Sequence, residues 1–229
     1  MGGSQEGGVV IVWSLFDSTG TWAAFAPPGA TVYAIDLEPK PLEWAQARGV
    51  QHVQANVCDL LKLDLPRPDV LLCAPPCQAL SNMRHVRTVN GGKPIEGVIS
   101  MTTEEGLALV RLCVRLAAWT RPTVWCVENP RKSLAWSVLP MRQMVLWGWY
   151  GYPAEKPTGL GGDFQPVAAP FPLPIIDPTE GGRRPCAARP GVGGVQAMPS
   201  YLRSRTPPAF AQAWWAAQAP VLERLRGAA

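Results

Sequence analysis

Val9-Val-Ile-Val-Trp-Ser-Leu15, the turn Phe16-Asp-Ser-Thr-Gly-Thr-Trp22, and then Thr31-Val-Tyr-Ala-Ile35 with Asp36 behind it form the stretch that sets the fold class. The two apolar runs are short, rich in β-branched residues and bounded by Gly, Pro or Asp, as buried parallel strands are. Between them lies a turn of small residues, where a βα loop would approach a nucleotide-like ligand. Asp36 follows Gly20 by 16 residues, a position from which a carboxylate accepts hydrogen bonds from ribose hydroxyls. With one glycine in the loop, an ordinary tight turn explains this segment equally well.

The same punctuation recurs downstream. Helical spacing over Pro39 to Arg48 ends at Gly49, a C-cap residue, and Gln51-His-Val-Gln-Ala55 predicts a third strand. Asp69-Val-Leu-Leu-Cys-Ala74 predicts a fourth. An acidic first turn, Glu104 and Glu105, opens a helix over 103–120, and Thr123-Val-Trp-Cys-Val127 predicts a fifth strand. Such alternation predicts a doubly wound α/β sheet with ligands at the carboxyl ends of its strands. After Tyr152 the chain is Pro- and Gly-rich as far as about Ser200, without strong periodicity. Phe164, Phe171, Ile175 and Ile176 give it some apolar material, so a linker and a small loop-rich lobe fit equally. Pro207-Pro-Ala-Phe-Ala-Gln-Ala-Trp-Trp-Ala-Ala-Gln-Ala219 predicts a buried helix, and Glu223-Arg-Leu-Arg-Gly227 a solvated end.

Composition narrows the class. With 229 residues, 47% hydrophobic and 17% charged, the chain is long enough for one sizeable core and is no disordered polyelectrolyte. No apolar run approaches the roughly 20 residues that cross a bilayer, and Met1-Gly-Gly-Ser-Gln-Glu-Gly-Gly8 has no signal-peptide pattern. A cytoplasmic, soluble, monomeric protein is expected. The net charge of +4 permits a polyanionic partner without requiring one. The six cysteines contain no C-x2-C pair, so neither zinc nor a disulfide framework is implied. The ordinary role for each is a small buried hydrophobe.

Cys77 departs from that role. In Asp69-Val-Leu-Leu-Cys-Ala-Pro-Pro-Cys-Gln-Ala-Leu-Ser81 a buried strand delivers a Pro-Pro-Cys-Gln turn to the ligand-binding edge. Two prolines fix the backbone at low entropic cost, and the next side chain is a soft nucleophile. Behind it, Gln78 to Lys93 carries Arg84, His85, Arg87 and Lys93 with Gly91 and Gly92. Closure over a phosphate backbone would use such charges, although solvated surface loops carry them too. Val127-Glu-Asn-Pro130 brings a carboxylate and an amide to the end of the next strand. There Glu128 could cap the following helix or protonate a base.

Taken in order, these pieces resemble the DNA cytosine-C5 methyltransferases, in particular their compact, phage-type members. They are Leu15-Phe16 through Gly20, Asp36, Cys58-Asp59-Leu60, Pro75-Pro76-Cys77-Gln78 and Glu128-Asn129, then Tyr150-Gly-Tyr-Pro-Ala-Glu-Lys-Pro-Thr158 and the Arg205-Thr-Pro-Pro helix. Pro-Pro-Cys-Gln with Glu-Asn some 50 residues later is the discriminating pair. The resemblance implies a Rossmann-like S-adenosylmethionine-dependent sheet over 1–158, a small target-recognition lobe over 159–204 and a helix over 205–229 that returns to the catalytic domain. It implies methyl transfer from S-adenosyl-L-methionine to C5 of a flipped-out cytosine in double-stranded DNA. Cys77 would add to C6, Glu128 would hydrogen-bond N3 and the exocyclic amine, and Asn129 and Lys156 would complete the catalytic set. Phe16, Asp17, Thr19, Gly20 and Thr21 would line the methionine end of the cofactor, with Asp36 on the ribose, Leu37 on adenine, Asp59 on its amino group and Pro75 at the border. Gln78, Ser81, Arg84, Arg87, Arg183, Arg184, Arg203 and Arg205 would meet DNA.

The chain also departs from the family. Ser18 and Thr21 stand where glycines are usual, and Ala154-Glu-Lys-Pro-Thr158 replaces Gln-x-Arg-x-Arg, removing two arginines. Lys156 supplies a point charge but not a planar guanidinium fork. Methylation of RNA cytosine, another methyl donor, and a catalytically weak DNA- or cofactor-binding relative are the competing expectations.

Overall fold

The structure is a computed structural model and describes residues 8–81, 101–152, 156–169 and 205–227. Strands β1 (Ile11–Leu15), β2 (Thr31–Asp36), β3 (Val50–Gln54), β4 (Val70–Cys73), β5 (Val124–Pro130), β6 (Met141–Leu146) and β7 (Pro157–Asp163) form one seven-stranded sheet of order β3-β2-β1-β4-β5-β7-β6. The first five run parallel, and β7 pairs antiparallel with both β5 and β6. From β1 the chain winds outward to β2 and β3, then crosses back to β4 and β5. The reversal opens a crevice between the carboxyl ends of β1 and β4, where open α/β sheets bind ligands. This is the doubly wound, Rossmann-like α/β class that the strand and helix alternation predicts.

β4 is buried along its whole length because both faces of the sheet are covered. Val70 and Leu72 join Val12, Val32, Trp22, Trp147, Phe210 and Trp214 on one face. Leu71 and Cys73 face Val110, Cys113, Leu116 and Val127 on the other, as the two-residue period of a strand requires. Helix α2 (Thr103–Thr120) covers the second face and begins in a capping box in which Thr102 and Glu105 satisfy each other's backbone N–H groups. Helix α3 (Pro208–Gly227) covers the first face. Its Trp214 meets Trp22 edge-on at 5.6 Å, and Trp215 Nε1 donates to the Trp22 carbonyl at 2.7 Å. Among the described residues no helix is long and apolar enough to cross a membrane.

Several expectations shift. The helix expected from Pro39 shrinks to α1 (Glu43–Ala47), because the backbone is still extended at Leu42, with φ −93° and ψ 132°. The terminal helix runs on through Glu223 to Gly227, and its last turn is largely solvated as expected: Glu223, Arg224 and Gly227 are exposed, while Arg226 donates to the Pro28 carbonyl at 2.9 Å. The largest correction concerns the segment after Tyr152. The boundary expected after Thr158 falls inside β7, whose Thr158 to Gly161 are buried in the sheet. Its glycines admit close neighbours: a Cβ on Gly159 would lie 2.5 Å from Trp136 Cζ2, and one on Gly162 2.5 Å from the Trp125 carbonyl oxygen. What sequence composition presents as loop is a strand whose neighbours leave no room for side chains at its glycines.

Candidate active site

The turn that carries Cys77 is held from three sides. It leaves β4 through Ala74, whose N–H donates to the Leu15 carbonyl at 3.1 Å. The Cys77 carbonyl accepts the N–H groups of Leu80 and Ser81 at 3.1 and 2.9 Å, coiling the chain into a helical turn that buries Ser81. α2 presses on this turn: Thr103 Oγ1 donates to the Ala79 carbonyl at 3.2 Å, and a Cβ on Gly106 would lie 2.9 Å from Leu80 Cδ2. From β5, the fully buried Asn129 donates through Nδ2 to the Pro75 carbonyl at 2.8 Å. Asn129, expected in the catalytic set, fixes the Pro75-Pro76-Cys77 backbone through Nδ2, while its Oδ1 is buried without a partner among the described residues.

Beside Asn129, Glu128 pairs across the sheet with Leu160 and is 8% exposed. Its Oε1 is buried without a hydrogen-bond partner among the described residues, an arrangement that asks for an explanation in a native site. Burial pushes the Glu128 carboxyl up, and the Lys156 ammonium partly opposes that rise. The Cys77 thiol is pushed up by burial, drawn down by Lys156 and pushed up further by Glu128. Lys156 in turn is drawn down by burial, against the pull of Glu128 and Cys77. The three side chains form one electrostatic group at the carboxyl edge of the sheet. Gln78, next to Cys77, buries Oε1 without a partner among the described residues.

Two aromatic residues that sequence reasoning did not single out complete this corner. Lys156 Nζ lies 3.5 Å from the centroid of the Trp147 ring and 5.5 Å from that of Tyr152. Trp147 belongs to an apolar Trp-Gly-Trp-Tyr run with no motif spacing, so its sequence carries no signal of this contact.

Across the crevice, the β1 loop is compact. Phe16 adopts φ 59° and donates its N–H to the Ile35 carbonyl at 2.8 Å. Asp17 accepts from Ser14 Oγ at 2.8 Å and from the Ala23 N–H at 3.4 Å, and burial pushes its carboxyl up. Thr19 and Thr21 join their hydroxyls at 2.9 Å. Gly20 has φ 70°, and a Cβ there would lie 2.8 Å from Nε2 of His52, a β3 residue that sequence reasoning passed over. Both ring nitrogens of His52 are buried without partners among the described residues. The half-buried Asp36 accepts the Glu38 N–H at 2.9 Å, its carboxyl raised by burial, and Leu37 beside it is 61% exposed. Pro75 is buried at the head of the Cys77 turn. Asp59 is exposed and paired with Lys62 at 2.6 Å. Arg205 is half-buried ahead of α3. Arg84, Arg87, Arg183, Arg184 and Arg203 lie outside the described residues.

No protein-family model matches the chain, and no curated protein does. Among solved structures the chain is similar, with a TM-score of 0.44 and 17% identity over 67% of its length, to the crystal structure of a candidate DNA modification methyltransferase encoded within an E. coli prophage, of which the match covers 46%. The chain therefore spans less than half the length of that relative.

Proposed function

We propose that this protein transfers a methyl group from S-adenosylmethionine to C5 of a flipped-out cytosine in double-stranded DNA, with Cys77 as the covalent nucleophile. The observation that carries this reading is geometric: Asn129, next to Glu128 on β5, donates to the Pro75 carbonyl at 2.8 Å two residues before Cys77, so a cysteine-bearing turn and a buried carboxyl whose Oε1 has no partner among the described residues share one edge of the sheet, with Lys156 as the nearby cation. A cysteine that served only as core would need neither charge beside it.

Cytosine C5 is a poor nucleophile, and addition of a thiolate at C6 changes that. As the bond from Cys77 Sγ to C6 forms, the C5–C6 π pair moves to C4–C5 and the C4–N3 π pair moves onto N3. The proton that N3 then requires comes from Glu128, whose burial keeps it protonated to higher pH than an exposed carboxyl. Lys156 offsets the negative charge that remains. The C4–C5 pair would then take the methyl group as its bond to the sulfonium sulfur breaks, the sulfur leaving as a neutral thioether; the N3 proton returns to the Glu128 carboxylate, a base removes the C5 proton, and expulsion of the Cys77 thiolate restores aromaticity. A duplex hides C6, so the base has to leave the stack.

The cofactor supplies the electrophilic methyl group when bound. The crevice suits it: the positive φ of Phe16 and Gly20 keeps the first loop low, Asp36 presents a half-buried carboxylate and Leu37 an exposed apolar face. In this reading Thr19, Gly20, Thr21, Asp36, Leu37 and Pro75 hold the cofactor. Asp17 shapes the loop, and Asp59 would have to exchange Lys62 for the adenine amino group. The test is incubation with tritiated S-adenosylmethionine and separate DNA and RNA substrates, followed by identification of the product base. Label in 5-methylcytosine of DNA supports the reading; label confined to RNA, label on an exocyclic amine, or none contradicts it.

A further inference from the structure

We propose that Trp147 and Tyr152 form an aromatic cage that fixes the Lys156 ammonium as the shared countercharge of Cys77 and Glu128, which makes both rings positioning residues for the Cys77 thiolate. This rests on the proposed role of Cys77 for its catalytic meaning, but the cage itself is argued from geometry. Trp147 and Lys156 meet because β6 and β7 are paired up to Leu146 and Pro157, which leaves these two residues facing each other just beyond the ladder. The backbone locks the corner: the Trp147 N–H donates to the Lys156 carbonyl at 3.4 Å, and the Tyr152 N–H donates to the Trp147 carbonyl at 3.2 Å. Lys156 accepts φ 33°, a conformation uncommon for residues with a side chain.

Within that corner the two rings meet edge-on, 68° apart with centroids 5.5 Å apart, and Nζ sits 3.5 Å from the Trp147 centroid. The face of an aromatic ring attracts a cation, most strongly when water is excluded. Trp147 is fully buried. The cage therefore favours the ammonium form that burial alone would disfavour, and it restricts where a long, flexible side chain can hold its charge. An ammonium held there lowers the cost of a thiolate at Cys77 and of a carboxylate at Glu128.

Alkylation of Cys77 by iodoacetamide reads this directly, since the reaction needs thiolate but neither DNA nor cofactor. The full chain is alkylated from pH 6 to 10 and the Cys77 peptide is followed by mass spectrometry. Tyr152→Leu and Trp147→Leu are expected to move the alkylation midpoint to higher pH and to slow the reaction at pH 8 by about tenfold, the effect of moving a thiol by one pH unit. Trp147→Phe, which keeps a ring, is expected to recover most of the rate. In a Lys156→Met background, Tyr152→Leu is expected to add nothing. A cavity left by Trp147→Leu would admit reagent faster, the opposite sign. If Tyr152→Leu and Trp147→Phe, each folded by circular dichroism, leave the midpoint unchanged while Lys156→Met moves it, the cage is overturned. It is equally overturned if Tyr152→Leu acts undiminished without Lys156. Shifted alkylation in a chain that methylates nothing would support the cage and contradict the proposed function alone.

Discussion

Asn129 Nδ2 donates to the Pro75 carbonyl at 2.8 Å, so the strand that carries Glu128 also holds the turn that carries Cys77. Cys77 and Glu128 are thereby registered to each other through one buried hydrogen bond between neighbouring parallel strands. Parallel pairing of β4 with β5 ends at Cys73 and Val127, and beyond it this side-chain bond maintains the spacing.

Asn129→Ala is therefore expected to do two things. Leaving the Pro75 carbonyl buried and unpaired costs about 1–3 kcal/mol, visible as a lower urea midpoint. Because the Cys77 turn loses its tie to β5, covalent capture of cytosine should slow by more than the loss of folded protein explains. An unchanged midpoint and capture rate would show that the turn is held by α2 alone.

Gly20→Ala tests the proposed cofactor loop. Its φ of 70° costs a side chain about 1–2 kcal/mol, and the added Cβ also meets His52 Nε2 at 2.8 Å. Gly29, with φ 80° and nothing within 4 Å, is the control for conformation alone. Calorimetry with S-adenosylmethionine should show weakened binding for Gly20→Ala and unchanged binding for Gly29→Ala. Adding His52→Ala should relieve the collision but not the backbone strain, giving partial recovery.

Glu128→Gln should separate stability from activity. Burial raises this carboxyl above its ordinary 4.5, so the folded chain keeps a proton that the unfolded chain has released. Its favourable contribution is complete below about pH 4.5 and is lost as pH rises through the raised folded value. Urea unfolding of the wild type should lose stability over that window, and Glu128→Gln should flatten the loss. Methyl transfer should fall by roughly a hundredfold, the scale of a lost positioned acid, while cofactor affinity should hardly change. Equal loss of cofactor binding would assign Glu128 to the methionine pocket instead.

Much of the sheet is legible in the sequence because β1, β2, β4 and β5 are apolar runs with clear boundaries, and α2 announces itself through its acidic first turn, Glu104 and Glu105. β6 and β7 are not legible. Met141, Arg142 and Met144 on the edge strand are exposed, and Gly159, Gly161 and Gly162 imitate a loop although packing against Trp136, Leu139 and Trp125 requires them. The grouping of Cys77 with Glu128 follows from adjacent strand ends and can be anticipated. Pairing Lys156 with Trp147 depends on the register of two strands that composition conceals, and the burial of His52, whose ring nitrogens lack hydrogen-bond partners among the described residues, depends on how closely Gly20 approaches β3.

Attack of Cys77 on C6 of cytosine is tested most directly by trapping on duplex DNA containing 5-fluorocytosine in the presence of S-adenosylmethionine, where fluorine at C5 cannot leave as a proton. A denaturation-resistant adduct is expected whose crosslinked peptide maps to Cys77; Cys77→Ser, still folded and still binding cofactor, should form none because an alcohol is far less ionised than a thiol. Normal turnover by Cys77→Ser, or an adduct that maps to another residue, would contradict it.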